Sequence, residues 1–217
     1  MHPSPPEEVF DLLAALAAKE QPLLLILVGP NGAGKSTFYQ RYLSTISLPF
    51  INADVLARTL VEAGAPEGEA TERLAADLAE KRRQDLLSKR ESFITETVFS
   101  DPVGSKVEGL RTAQATGYAV AMIFVCVDSA QLTALRVASR VQDGGHRVPP
   151  DKIIARYERM RVNVKAALPF VDLAILVDNS SIQSPHRPVA ATAGGKVIFR
   201  NPPLPWWAEE VLQGLPS

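Results

Sequence analysis

The segment Gly29-Pro30-Asn31-Gly32-Ala33-Gly34-Lys35-Ser36 satisfies the pattern G-x-x-x-x-G-K-[ST] at every position. Each residue type in it has a chemical use. Glycines let the backbone turn so that successive N–H groups converge on an anion. The lysine reaches β- and γ-phosphates, and the hydroxyl after it coordinates Mg²⁺. Gly29, Pro30, Asn31, Gly32, Ala33, Gly34, Lys35 and Ser36 are therefore the expected nucleotide-binding residues, with Ser36 the expected magnesium ligand. The cofactors this chemistry asks for are ATP and Mg²⁺. The N-K-x-D segment that reads guanine in GTP switches is not found.

Phosphoryl transfer needs an acceptor hydroxyl held by a carboxylate, and positive charge around the moving phosphate. Asp54 follows Phe50-Ile51-Asn52-Ala53, and Glu96 follows Phe93-Ile94-Thr95. Both stand where a parallel sheet presents its ligands, at the carboxyl ends of strands. A helix N-cap is the alternative for Asp54, and a solvated turn the alternative for Glu96. Asp128 ends the apolar run 120–127, as an acid holding Mg²⁺ through water would. Asp128-Ser129 also opens a helix, and an N-cap is the preferred reading there. Positive charge gathers around residues 141–149 in Arg136, Arg140, His146, Arg147, Arg156, Arg159 and Arg161. Two helices flanking Gly144-Gly145 have the makings of a lid that closes over phosphates and excludes water. For some of these arginines a solvated helix face is the plain alternative.

These residues require elements to hold them. Residues 23–28 are continuously apolar, as in a strand buried on both faces. Strands are also expected at 49–52, 93–95, 119–127 and 171–177, with a short edge strand at 196–200. Helices are expected at 9–19, 36–43, 54–61, 69–90, 102–116, 129–140, 151–167 and 206–212. In the helix at 69–90, Leu74, Leu78 and Leu86 are expected to face inward. Residues 180–195 are polar and marked by Pro and Gly, so they read as irregular. Strands alternating with helices give an α/β fold, a parallel sheet of about five strands with helices on both faces. A single domain over 1–217 is expected, with the arginine-containing lid at about 136–161.

Composition narrows the field further. With 217 residues, 46% of them apolar and a net charge of −1, the chain can bury a sizeable core. It presents no bulk positive charge for nucleic acid or an anionic membrane. The single cysteine, Cys126, lies between Val125 and Val127 and reads as a small buried apolar residue. No signal peptide or apolar membrane-spanning run is found, so a cytoplasmic protein with no membrane partner is expected.

The ordered set Gly29 to Thr37, Ile51-Asn52-Ala53-Asp54, Ile94-Thr95-Glu96-Thr97, the 140–149 segment with its Gly-Gly-His core, and Asp178-Asn179-Ser180 resembles the zeta toxin family of P-loop kinases. The segment places the chain with a compact Gly-Gly-His lid branch. The resemblance implies a P-loop NTPase/kinase-like fold. It also implies transfer of the ATP γ-phosphate to a small acceptor, the sugar 3′-hydroxyl of UDP-N-acetylglucosamine. By position it makes Asp54 the general base, Lys35 a γ-phosphate contact, Thr37 a nucleotide-binding residue backing the phosphate site, and Arg140 and Arg147 the clamp on the transferring group. Asn52, Asp54, Glu96 and Thr97 become the substrate-binding residues. A separate antitoxin protein is the implied partner. Thr97-Val98 stands where the best-known toxins carry Gly-Thr.

Three other readings compete. One is a kinase of another metabolite, a drug or a nucleic-acid end, although a nucleic-acid partner is not favoured by the charge. A second is a nucleotide-binding regulatory module without acceptor chemistry. The third uses Pro202-Pro203-Leu204-Pro205-Trp206-Trp207 as an interaction tail, against the preferred reading of a tail packed on the sheet.

Overall fold

The computed structural model describes residues 5–142 and 150–217. In chain order the elements are α1 (Pro5–Ala17), β1 (Leu23–Val28), α2 (Lys35–Phe38), β2 (Phe50–Ile51), α3 (Ala53–Glu62), α4 (Glu69–Lys89), β3 (Phe93–Thr97), α5 (Ser105–Ala115) and β4 (Ala119–Cys126). There follow α6 (Ala130–Gln142), α7 (Pro150–Ala167), β5 (Leu173–Asp178), β6 (Arg187–Ala193), β7 (Lys196–Arg200) and α8 (Trp206–Leu212). Helix α2 runs on into a π-helical turn, Tyr39–Leu43.

The sheet has seven strands in the order β2-β3-β1-β4-β5-β6-β7. The first five are parallel, and β6 and β7 are antiparallel additions at one edge. The expected fold class therefore stands, and the expected strand number of about five is corrected to seven. Strand β6 was hidden because Val189-Ala190-Ala191-Thr192-Ala193 is poor in the branched and aromatic residues that announce strands. Its local signal is the turn after it. Gly194 and Gly195, at φ +52° and +78°, join Ala193 to its partner Lys196 as a two-residue hairpin loop needs.

Both faces of the central strands are covered. Leu24, Ile26 and Val28 of β1 pack with Phe93, Val120, Met122, Phe124, Tyr157 and Trp207 on the side of α4, α5, α7 and α8. Leu23, Leu25 and Leu27 pack with Leu13, Leu16, Phe38, Leu43 and Ile123 on the side of α1 and α2. That is why β1 is apolar at every position rather than at alternate ones.

Two local expectations change. Helix α4 buries Thr71, Ala75, Ala79 and Leu86, whereas Leu74 and Leu78 are exposed. The buried face carries small residues spaced four apart, and Leu74 and Leu78 lie one position, about 100°, around the helix from it. The N-cap of α6 is Ser129, whose Oγ accepts from Leu132 N at 3.1 Å, and not Asp128. Asp128 is exposed, and its backbone is bound instead by the Ser180 hydroxyl and the Trp206 indole N–H.

The tail packs on the sheet. Trp207 is fully buried edge-on to Phe124, with ring centroids 5.2 Å apart. Cys126 is fully buried, and burial pushes its thiol up to about 12, which makes it inert at neutral pH. Among the described residues no helix is long and apolar enough to cross a membrane.

Candidate active site

The glycine segment lies between the carboxyl end of β1 and the start of α2. Strand β1 is flanked by β3 and β4, so the loop sits over the middle of the parallel sheet. The glycines are demanded by the protein itself as well as by a ligand. A Cβ at Gly29 would run into the Val125 carbonyl of β4, and one at Gly32 would lie 2.9 Å from the Thr133 carbonyl of α6. Gly34 has φ +91° and the side chain of Asn179 directly behind it. The loop is thus clamped against β4, α6 and the segment after β5.

Lys35 is the first residue of α2 and is 7% exposed. Its ammonium donates to the Pro30 carbonyl at 3.2 Å and pairs with Glu96 Oε1 at 3.6 Å. The pair is buried on both sides. Ser36 and Thr37 follow and are exposed. Among the described residues no group of three or more His, Cys, Asp or Glu could hold a metal. A magnesium ion that keeps water and nucleotide oxygens as ligands needs no such cage. The exposed Ser36 hydroxyl, one residue from the loop lysine, fits that kind of binding.

Glu96 lies within β3 rather than in a turn, which removes the solvated-turn alternative. Its second oxygen accepts from Asn52 Nδ2 at 2.8 Å. Asn52 also caps α3, its Oδ1 accepting from Asp54 N at 2.8 Å and Val55 N at 3.2 Å. Asn52, and not Asp54, is therefore the N-cap. Asp54 sits exposed in the first turn of α3. One buried asparagine thus ties the backbone of Asp54 to the carboxylate of Glu96, and Glu96 ties both to Lys35. At the end of β3, Thr97 Oγ1 takes hydrogen bonds from Phe99 N at 3.2 Å and Lys106 Nζ at 2.5 Å. Lys106 was not singled out by sequence, because its contact depends on how α5 packs beside β3. Burial lowers its pKa below the usual lysine range, against the attraction of Asp101.

The cationic residues of the expected lid divide. Arg136 donates to the carbonyls of Asn179 at 2.9 Å and Ser180 at 3.4 Å, so it fastens α6 to the segment after β5. Arg159 donates to the Ser100 carbonyl, and Arg161 pairs with Glu210 and lies over Trp206. Arg156 lines a crevice with Pro30 and Asn31 of the glycine loop, Val98 and Ile153. Of the expected clamp, Arg147 lies outside the described residues, as do His146 and the side chain of Arg140, whose backbone belongs to α6.

Sequence reasoning missed His186. It is buried, and its Nε2 lies 3.3 Å from the Gly34 carbonyl. Asn179 Nδ2 donates to the Ala33 carbonyl at 2.8 Å, and Asn179 Oδ1 accepts from His186 N at 3.1 Å. No local pattern around residue 186 announces this, since the partners are 152 residues apart.

The fold is similar to the crystal structure of AvrRxo1-ORF1:AvrRxo1-ORF2 with sulphate ions, at TM-score 0.69 and 18% identity over 95% of this chain and 69% of that one. The structure of that complex with ATP is similar at TM-score 0.62 and 18% identity, over 95% of this chain and 68% of that one. The PezAT chromosomal toxin–antitoxin system of Streptococcus pneumoniae gives TM-score 0.57 and 16% identity, over 97% and 86%. At these identities the likeness is one of fold alone, an α/β domain with a mostly parallel sheet and helices on both faces. No curated protein sequence matches the chain. Residues 24–165, which run from β1 through both carboxylates into α7, match the AAA_33 family model, and the chain belongs to that family of AAA domains.

Proposed function

We propose that the protein is a Mg·ATP-dependent phosphotransferase of the zeta toxin kind, transferring the γ-phosphate to a hydroxyl of a small acceptor. The observation that carries this is the line Lys35–Glu96–Asn52–Asp54, which joins the phosphate loop to two carboxylates at the ends of β2 and β3.

In the proposed reaction Gly29 to Gly34 hold the phosphates, and Lys35 exchanges Pro30 and Glu96 for γ-phosphate oxygens. Glu96 and Thr97 bind the acceptor. Asp54 takes the acceptor hydroxyl proton as that oxygen bonds to the γ-phosphorus, and the bond to the β-phosphate oxygen breaks to release ADP. Arg140 and Arg147 are the proposed clamp on the transferring group, and Arg156 on the crevice wall joins them. Ser36 would hold the magnesium ion, which neutralises charge developing on the leaving group. The unit would comprise the chain from 1 to 217, with a lid at about 136–161.

The preferred acceptor is the sugar 3′-hydroxyl of UDP-N-acetylglucosamine. A separate antitoxin is the proposed partner, supported by the toxin–antitoxin relative of the same fold. The test is mass spectrometry of UDP-N-acetylglucosamine incubated with the protein and Mg·ATP, beside Asp54→Asn. Gain of one phosphate, lost in the variant, supports the acceptor and the base together. No gain rejects this acceptor and moves the search to other metabolites, drugs and oligonucleotide ends.

A further inference from the structure

Peptide units are planar and trans, so the carbonyl of one residue points opposite to the N–H of the next. A side chain that grips the Ala33 carbonyl from behind aims the Gly34 N–H forward, and one that grips the Gly34 carbonyl aims the Lys35 N–H forward. Asn179 and His186 stand at those two carbonyls, at 2.8 and 3.3 Å. They are also bonded to each other, through His186 N and Asn179 Oδ1. Arg136 holds the Asn179 carbonyl at 2.9 Å. The His186 ring meets the edges of Phe38 and Tyr42, with centroids 5.4 and 5.8 Å away, so it cannot swing aside freely. His186 adopts φ +55°, a conformation uncommon outside glycine that marks a constrained position.

We infer that Asn179 and His186 form a brace beneath the phosphate loop, and that His186 is a positioning residue for nucleotide binding. The Gly34 carbonyl can only accept, so Nε2 of His186 carries a proton and donates to it. Nδ1 is buried with no hydrogen-bond partner. A second proton there would be stranded without an acceptor. Burial accordingly pulls the imidazole below its ordinary pKa, and the Arg41 and Arg136 guanidiniums reinforce this against the Gly34 hydrogen bond. The brace grips the loop through the Ala33 carbonyl and through the Gly34 carbonyl, which also accepts from Phe38 N at 2.9 Å as α2 begins. Its effect is therefore on the population of loops already shaped for phosphate, and it acts through affinity.

The inference rests on the loop binding nucleotide and not on any acceptor. The experiment is direct binding of ATP and of ADP to the full chain by titration calorimetry, with His186→Phe and His186→Gln. Phenylalanine keeps a ring between Phe38 and Tyr42 but donates nothing. Glutamine offers an amide N–H at about the same reach. Removing one neutral hydrogen bond is worth about 5-fold in an equilibrium constant. The expected result is a Kd raised about 5-fold for both nucleotides in His186→Phe and restored to within about 2-fold in His186→Gln. Wild-type affinity in His186→Phe overturns the brace, and so does equal loss in both variants, because returning an N–H donor would then recover nothing. Should His186→Phe not fold, Asn179→Asp decides. It still accepts from His186 N but turns a carboxylate on the Ala33 carbonyl, and unchanged affinity there overturns the inference. If the wild-type chain itself bound neither nucleotide, the proposed function would fail first, a separate outcome from a wild type that binds and a variant that binds equally.

Discussion

In the resting site the ammonium of Lys35 lies 3.6 Å from Glu96 Oε1, and both side chains are 7% exposed. The loop lysine is therefore paired before any phosphate arrives. In the proposed reaction the nucleotide displaces Glu96 from Lys35, and the released carboxylate is then free for the acceptor. Glu96→Gln should remove that competition. ATP should bind about 3- to 10-fold more tightly, and phosphate transfer should fall. The free protein should melt at a lower temperature, because a buried lysine that loses its charged partner costs about 3 kcal/mol or more. Calorimetric titration with ATP and a melting curve without it test both signs. Unchanged or weaker ATP binding would mean that the pair does not compete with phosphate.

Asn52 carries two tasks with one amide, capping α3 through Oδ1 and holding Glu96 through Nδ2. The tasks separate by substitution. Asn52→Asp keeps an N-cap acceptor but sets a carboxylate against Glu96. Asn52→Ala removes both, with the cap alone worth about 1 kcal/mol. The aspartate variant should keep the α3 cap but lose transfer, and it should melt lower as pH rises because two carboxylates then share one buried site, whereas alanine should lose both stability and transfer. An aspartate variant with wild-type turnover removes Asn52 from the positioning of Glu96.

Asp54 is exposed in the first turn of α3, with no capping duty. Asp54→Asn should leave nucleotide binding intact and cut transfer by about 10²–10⁴-fold, the usual share of a general base. Near-wild-type transfer by the variant in a coupled ADP-release assay would assign the base elsewhere.

The buried His186 makes stability depend on pH. Its imidazole is harder to protonate in the folded protein than at its ordinary value of 6.5, chiefly through burial. Below that value the unfolded chain takes up a proton that the folded chain resists. The stability is present above pH 6.5 and declines as the pH falls. Urea midpoints at about pH 7.5 and pH 5.5 should therefore drop further for the wild type than for His186→Phe, which has no such group to titrate. Equal drops would show that His186 is not strained by protonation.

Much of the fold was legible because its signals are local. The loop spacing, the apolar run of β1 and the helix periods each involve neighbours in sequence. Strand β6 was not legible, since its alanines become a strand only by pairing with β5 beside a covered sheet. Leu74 and Leu78 misled because an apolar residue on a helix does not say which face meets the core. Asp128 and Asp54 were plausible caps by type, yet Ser129 and Asn52 hold those positions, a distinction of one or two residues that only hydrogen-bond geometry makes.

By itself the sequence determined the glycine loop between β1 and α2, the parallel α/β order and the place of Asp54 and Glu96 beside β2 and β3, because covalent spacing and apolar pattern suffice for these. Only the tertiary structure decided what each charged group touches. Asn52 and Glu96 are 44 residues apart, Asn179 and Ala33 146 apart, and each pair meets because parallel strands bring their carboxyl ends to one side of the sheet. Arg136 belonged by sequence with the lid cations, and the fold turned it to the carbonyls of Asn179 and Ser180. A guanidinium is satisfied by whichever acceptors packing supplies, and packing is a property of the whole chain.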